Sequence, residues 1–160
     1  GKNNHFSVID AAGHRVELPE HRQQFGITPP PPGTEAFIDP RSEDPLDALW
    51  LDTIDTFRFT TADEGNPLAE ARAAATITYL KLNRDMLVAA RRNAFSGYRD
   101  RLAQYAARKA AGADGAELAA RRYELTVAPH RTVWLETKRQ RSMHADIDAL
   151  FSDVPEALAW

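Results

Sequence analysis

The residues best suited to meet a ligand in this chain are cations. Arg91, Arg92, Arg99, Arg101, Arg108 and Lys109 fall in one long helical stretch, and Arg121, Arg122, Lys138, Arg139 and Arg141 decorate later ones. A guanidinium carries a planar fork of N–H donors that matches phosphate oxygens. A converging set would therefore neutralise a polyanion and bind it with steep salt dependence. Adjacent pairs such as Arg91 and Arg92 point to different sides of a helix, so packing decides which of them share a face. The contact set read from the sequence is Arg91, Arg92, Arg99, Arg101, Arg121, Arg122, Lys138, Arg139 and Arg141.

Other chemistries find little footing. The histidines are His5, His14, His21, His130 and His144, and no two stand at the i, i+4 spacing that presents paired imidazoles from one helix face. There is no cysteine, which removes thiolate metal sites, disulfides and a cysteine nucleophile. His144 with Asp146 and Asp148 has the composition of a ligand cluster, but acids in that position also suit a helix start. The carboxylates Asp39, Glu43, Asp44, Asp47, Asp52 and Asp55 have the spacing of turn and cap residues, with no phosphate loop beside them. No GxSxG elbow occurs, and Ser96 in FSGY reads as a small helical residue. Catalytic, metal-binding and cofactor-binding residues are therefore expected to be absent from the chain.

Charge is segregated along the sequence. Residues 1–80 carry 6 basic and 13 acidic side chains, residues 81–141 carry 14 and 6, and residues 142–160 carry 0 and 4. Such a pattern argues for association with a polyanion or for pairing between the chain's own segments. With 43% hydrophobic and 27% charged residues in 160, the composition is that of a folded protein with its own core. No apolar run approaches a membrane span and the start GKNNHF lacks a signal-peptide pattern, so the expected location is the cytoplasm. The first residue is Gly and a strand pattern follows almost at once, which reads as a piece of a longer protein.

The elements that would position the cations are mostly helical. Alternation over His5–Asp10 and His14–Leu18 around a turn at Ala11–Gly13 predicts a small hairpin, followed by a polyproline spacer at Pro29–Pro32. Phe37–Pro40 reads as a short extended piece, Asp44 with Pro45 as a helix start, and Trp50–Asp52 with Phe57–Thr60 as a second hairpin. Asn66 and Pro67 then open a helix to about Leu82, and Asn83 caps a long one ending near Gly112. The apolar stripe of that long helix is Leu87, Ala90, Ala94, Tyr98, Leu102 and Tyr105. Helices over Ala116–Val127 and Thr132–Gln140 follow, with helical turns at Ile147–Phe151 and Pro155–Leu158. The predicted class is mainly α: residues 1–65 as a hairpin and loop region, and residues 66–160 as a domain of about four helices.

Three segments together carry a family resemblance. KNNHFSV places Lys2 and Phe6, with Ser7 where a Pro is usual; FIDPRSEDPLDALWL places Asp39, Pro40, Asp44 and Pro45; ATITYLKLNRDMLVAARR places Thr76, Ile77, Leu80, Leu82, Asn83, Leu87 and Arg91. In this order they resemble the region following the nuclease motif of bacterial HNH-type endonucleases, of the kind found beside AAA-type ATPases in Septu-like anti-phage defence systems. The resemblance spans Lys2 to Arg92. It implies a non-catalytic C-terminal module, because the family's metal-binding His and Asn, its general-base His and any zinc-holding cysteines precede the first residue here. It further implies duplex DNA or an AAA-type ATPase as partner, with any divalent metal belonging to the preceding motif. The competing expectation is a free-standing helical protein-interaction domain.

Overall fold

Asp10 organises the first turn. Its Oδ1 accepts the N–H groups of Ala12 (2.9 Å) and His14 (2.8 Å), so Val8–Ile9 (β1) folds back on Arg15–Val16 (β2), with Val8 opposite Val16. The computed structural model describes residues 8–10, 12–16 and 33–160. The outer parts of the expected hairpin, the polyproline run, His5, His21 and the positions Lys2, Phe6 and Ser7 lie outside the described residues. Thr34–Glu35 (β3) pairs with the other edge of β1. The extended segment expected at Phe37–Pro40 is thus displaced toward the N-terminus. Beyond β3 the chain turns onto a helix, where the Ile38 N–H donates to Thr76 Oγ1 (3.1 Å) instead of to a strand.

Asp44 accepts the Leu46 N–H (2.9 Å) and starts the one-turn α1, Pro45–Ala48, as its Pro and acidic first turn predict. Leu49–Leu51 (β4) then pairs with Phe59–Thr61 (β5). The helix α2, Pro67–Tyr79, has Asn66 at its cap, the side chain accepting the Ala69 N–H at 3.2 Å. Its small residues let it lie close to the strands. Ala75 packs with Ile9 and Ala36, and Ala73 with Ile38 and Leu49, Ile77 and Phe59 flanking the latter group. Arg72 bridges to Glu43 and to the carbonyls of Glu35 and Phe37, and its hydrogen bonds hold the Glu43 carboxyl below its ordinary range.

α2 ends at Tyr79, short of Leu82, because Lys81 turns left-handed (φ 52°) while the Leu82 N–H closes on Ile77 O (2.9 Å). Asn83 is not the cap of the next helix. Its Oδ1 accepts the Phe59 N–H and its Nδ2 donates to Phe59 O, both at 2.8 Å, so the side chain pairs with β5 as a neighbouring strand would. Asn83→Ala is expected to cost about 1–3 kcal/mol, the range for orphaned backbone groups. Asn83→Asp separates the roles. Aspartate is a good cap but cannot donate to Phe59 O, so melting should place N83D at or below N83A; a wild-type midpoint would restore the cap.

Two compact units result, one from Gly1–Trp50 with Arg58–Arg84 and the other from Leu51–Phe57 with Asp85–Trp160. Helix α2 therefore belongs with the β elements, and the boundary expected at residue 65 falls inside the first unit. The second unit starts with α3, Asp85–Ala110, which stops before Gly112 (φ 77°). Asp114 caps α4, Gly115–Thr126, by accepting the Glu117 N–H at 2.8 Å. Then follow α5, Arg131–Arg139, a short 3-10 turn at Arg141–Met143, α6, Ala145–Asp153, and a second 3-10 turn at Pro155–Ala159. Tyr98 and Leu102 of α3, Leu125, Val133, Trp134, Ile147 and Phe151 build the core. Trp134 stacks on Tyr98 (5.3 Å, 24°), and its Nε1 donates to Trp160 O (3.3 Å), tying the last residue to α5. The described residues are mainly α-helical with small antiparallel sheets, the class the sequence predicts.

Candidate functional site

The second unit engages most of its own cations. Arg99 stands 3.8 Å from both Asp100 and Asp146, Arg108 is 3.2 Å from Glu117, and Lys109 is 2.8 Å from Glu156. Arg121 reaches Glu124 (3.2 Å), Arg139 reaches Glu136 (2.9 Å) and Arg141 reaches Asp148 (3.7 Å). Lys138 Nζ donates to the carbonyls of Trp160 (2.6 Å) and Leu158 (3.2 Å), and burial lowers its pKa. Arg122 lies over the Trp160 ring and Arg92 over that of Phe57. The exposed pairs among these are weak and open at little cost, so they remain secondary contacts.

Arg91 must leave the contact set. It is buried, 6% exposed, and its Nη1 donates to Phe57 O at 3.1 Å. The spacing 87, 91, 94, 98, 102 runs along the inner face of α3, and Arg91 stands on it; the signal was present, but the residue type argued for solvent. Burial lowers the Arg91 pKa without removing its charge.

The acidic residues act locally. Asp39 holds Arg41 at 2.8 Å, and that hydrogen bond brings its carboxyl to about 2. Burial would raise Asp52, but the N–H groups of Ile54, Asp55 and Thr56 and the Thr56 hydroxyl outweigh it and hold it at about 2. Asp146 and Asp148 lie in the first turn of α6, while His144 makes no side-chain cap; its Nε2 is 3.2 Å from Thr53 Oγ1 and its ring lies on Phe95. Among the described residues no three His, Asp or Glu side chains gather as a metal site would require.

Arg101 and Arg131 differ from the other cations of the second unit. Among the described residues neither makes an ion pair, a side-chain hydrogen bond or a ring contact; Arg101 lines a groove between α3 and the α4–α5 connection, and Arg131 is the first residue of α5, directly after that connection. The groove, open to solvent, has a volume of about 380 Å³ and is lined by Ala90, Asn93, Ala94, Gly97, Arg101 and His130, among others. Tyr98 fixes its far wall. The hydroxyl donates to Ala128 O (2.9 Å) and Pro129 O (3.1 Å), pinning the connection to α3. Burial raises the Tyr98 phenol, and the charges of Arg131 and Arg101 act against that rise. His130 is left-handed (φ 60°), makes no side-chain cap and lines the groove. Gly97 gives Arg101 its place: a Cβ there would lie 2.8 Å from Arg101 Nη1, so the guanidinium folds back across the bare backbone of the preceding turn.

A buried polar cluster escaped the sequence reading. Gln140 Nε2 donates to Leu51 O (2.7 Å) and to Glu136 Oε2 (2.5 Å), and Thr53 Oγ1 donates to Gln140 Oε1 (2.6 Å). Glu136, Gln140 and Thr53 are each 1% exposed or less. Their i, i+4 pair on the inner face of α5 was legible; the partner 87 residues away was not.

The fold defines a mainly helical protein of two units, a class with no single chemistry attached. No protein-family model matches the chain, and neither curated proteins nor solved structures yield a match. Among the described residues no helix is long and apolar enough to cross a membrane.

Proposed function

We propose that this chain is a non-catalytic accessory module of an HNH-like nuclease and that its second unit holds duplex DNA by the phosphate backbone. The observation that supports this is the pair Arg101 and Arg131, left without a carboxylate in a unit that otherwise engages its cations. Cations of one unit without an internal counterion are set to take phosphates, releasing DNA counterions as they do so. The resemblance supplies the nuclease context and an AAA-type ATPase as the protein partner, and the absence of an apolar span or signal pattern in the sequence supports the cytoplasm as its place of work.

Binding of a labelled duplex, followed by anisotropy across a salt series, tests the reading. Affinity should fall steeply with salt. Arg101→Glu with Arg131→Glu should weaken binding at least about tenfold at every sequence and flatten the log–log salt slope by about 2, one unit per phosphate contact. Arg121→Glu, whose cation is already paired, should change it less. An unchanged slope in the double variant would remove the role. Absence of binding at low salt would favour the protein-interaction domain, with the exposed Tyr123 of α4 and Val127 just beyond its end as the surface to examine.

A further inference from the structure

We infer that the groove beside Arg101 binds a single terminal phosphate carried on a small organic body, the chemistry shared by a free nucleotide and by the phosphorylated end of a nucleic-acid strand. This rests on the reading that the second unit takes phosphates, and it specifies which phosphate. The groove's volume of about 380 Å³ lies at the small end of the range for small-molecule sites. It suits one nucleotide and not a length of duplex. Ala90, Ala94 and Gly97 recur along α3 and give the groove a low apolar floor, on which a base or sugar can lie. The half-buried Arg101 guanidinium is held over Gly97, His130 also lines the groove, and Arg131 follows His130 in the chain.

A monoester phosphate carries more charge than the diester of an internal linkage and exposes three terminal oxygens, so it gains more from a forked guanidinium. A backbone phosphate of a duplex meets Arg101 only at the mouth of the groove, whereas a terminal phosphate brings its nucleotide body onto the apolar floor as well. The selectivity follows from shape and charge together.

Gly97 makes the inference testable without disturbing the charge. Alanine at a helix interior favours the helix, yet its Cβ would displace the Arg101 guanidinium. Titration calorimetry would use 2′-deoxyadenosine 5′-monophosphate, deoxyadenosine, inorganic phosphate, and a short single strand with and without a 5′-phosphate. The monophosphate should bind at least about tenfold more tightly than deoxyadenosine. Gly97→Ala should weaken the monophosphate about fivefold or more while melting no lower than wild type. Arg101→Lys, which keeps the charge but loses the fork, should weaken it as well. A phosphorylated strand binding more tightly than the mononucleotide assigns the site to strand ends, and the reverse assigns it to free nucleotides; both uphold it. Equal binding of phosphorylated and unphosphorylated probes, or a Gly97→Ala variant with wild-type affinity, overturns it. If duplex binding responds to the Arg101 and Arg131 charge reversals while no phosphorylated end competes, this inference falls and the backbone reading stands. End binding without duplex binding has the opposite meaning.

Discussion

Arg91→Glu should unfold much of the second unit rather than weaken a surface contact. The guanidinium is 6% exposed and donates to Phe57 O at 3.1 Å, so a carboxylate in its place would be buried against a carbonyl. Reversing a buried charge belongs with the costliest single substitutions, about 4 kcal/mol or more. Against a typical total of about 5–15 kcal/mol, that is a large share. The site has a second reason to fail. Phe57 is itself left-handed (φ 55°), a conformation that costs a non-glycine residue about 1–3 kcal/mol and persists only where its surroundings impose it. Arg91 holds its carbonyl, while Phe95 (5.7 Å) and Arg92 (5.3 Å) hold its ring. Arg91→Met would keep the apolar stem and lose the donor, for about 1–3 kcal/mol. Urea melts of the two variants should therefore rank Glu well below Met, and Met below wild type. A variant R91E that melts like wild type but loses DNA would return Arg91 to the contact surface.

Arg91 also shows what sequence reading can and cannot reach. Helix starts were legible because their physics is local: Asn66 and Asp44 each accept an N–H two or three residues on, and the residue types declare it. Helical faces were half legible. The reading sent Arg91 to solvent and assigned no face to Glu136 or Gln140, although all three are buried, because a charged or amide side chain on an inner face is stable only if something distant receives it. For Arg91 that is Phe57, 34 residues earlier, and for Gln140 it is Leu51, 89 residues earlier. No local pattern encodes such partners. Asn83 is the same case, since its identity suits a cap and only the tertiary position of Phe59 claims both ends of the amide. The groove was the least legible feature. It depends on which cations have no carboxylate within reach, a property of the assembled unit, and on Gly97, whose neighbour Ser96 drew attention for its hydroxyl and stands exposed.

Arg139 and Glu136 should respond to substitution unequally, although they form one pair. Glu136 is 0% exposed and Arg139 is 38% exposed. Removing the arginine takes a cation from a fully buried carboxylate, whereas removing the carboxylate leaves a guanidinium that can turn to water. Arg139→Ala is therefore expected to cost about 3 kcal/mol, the lower end for breaking a buried pair. Glu136→Leu should cost about 1 kcal/mol or less, because an apolar replacement removes the buried charge and Gln140 keeps Leu51 O as acceptor. A pH series identifies the cause. A buried carboxylate without its cation favours the neutral acid, which raises its folded pKa above the unfolded value. The folded state then binds the extra proton, so R139A should gain stability, relative to wild type, as pH falls from 7 toward 4. Thermal melts at several pH values would read both effects. Equal costs for the two variants, or a difference between R139A and wild type that does not vary with pH, would mean that Arg139 contributes through packing of its stem and not through charge. In that case Glu136 would draw its compensation from Gln140 and its remaining contacts, and Arg139 would be available to a phosphate after all.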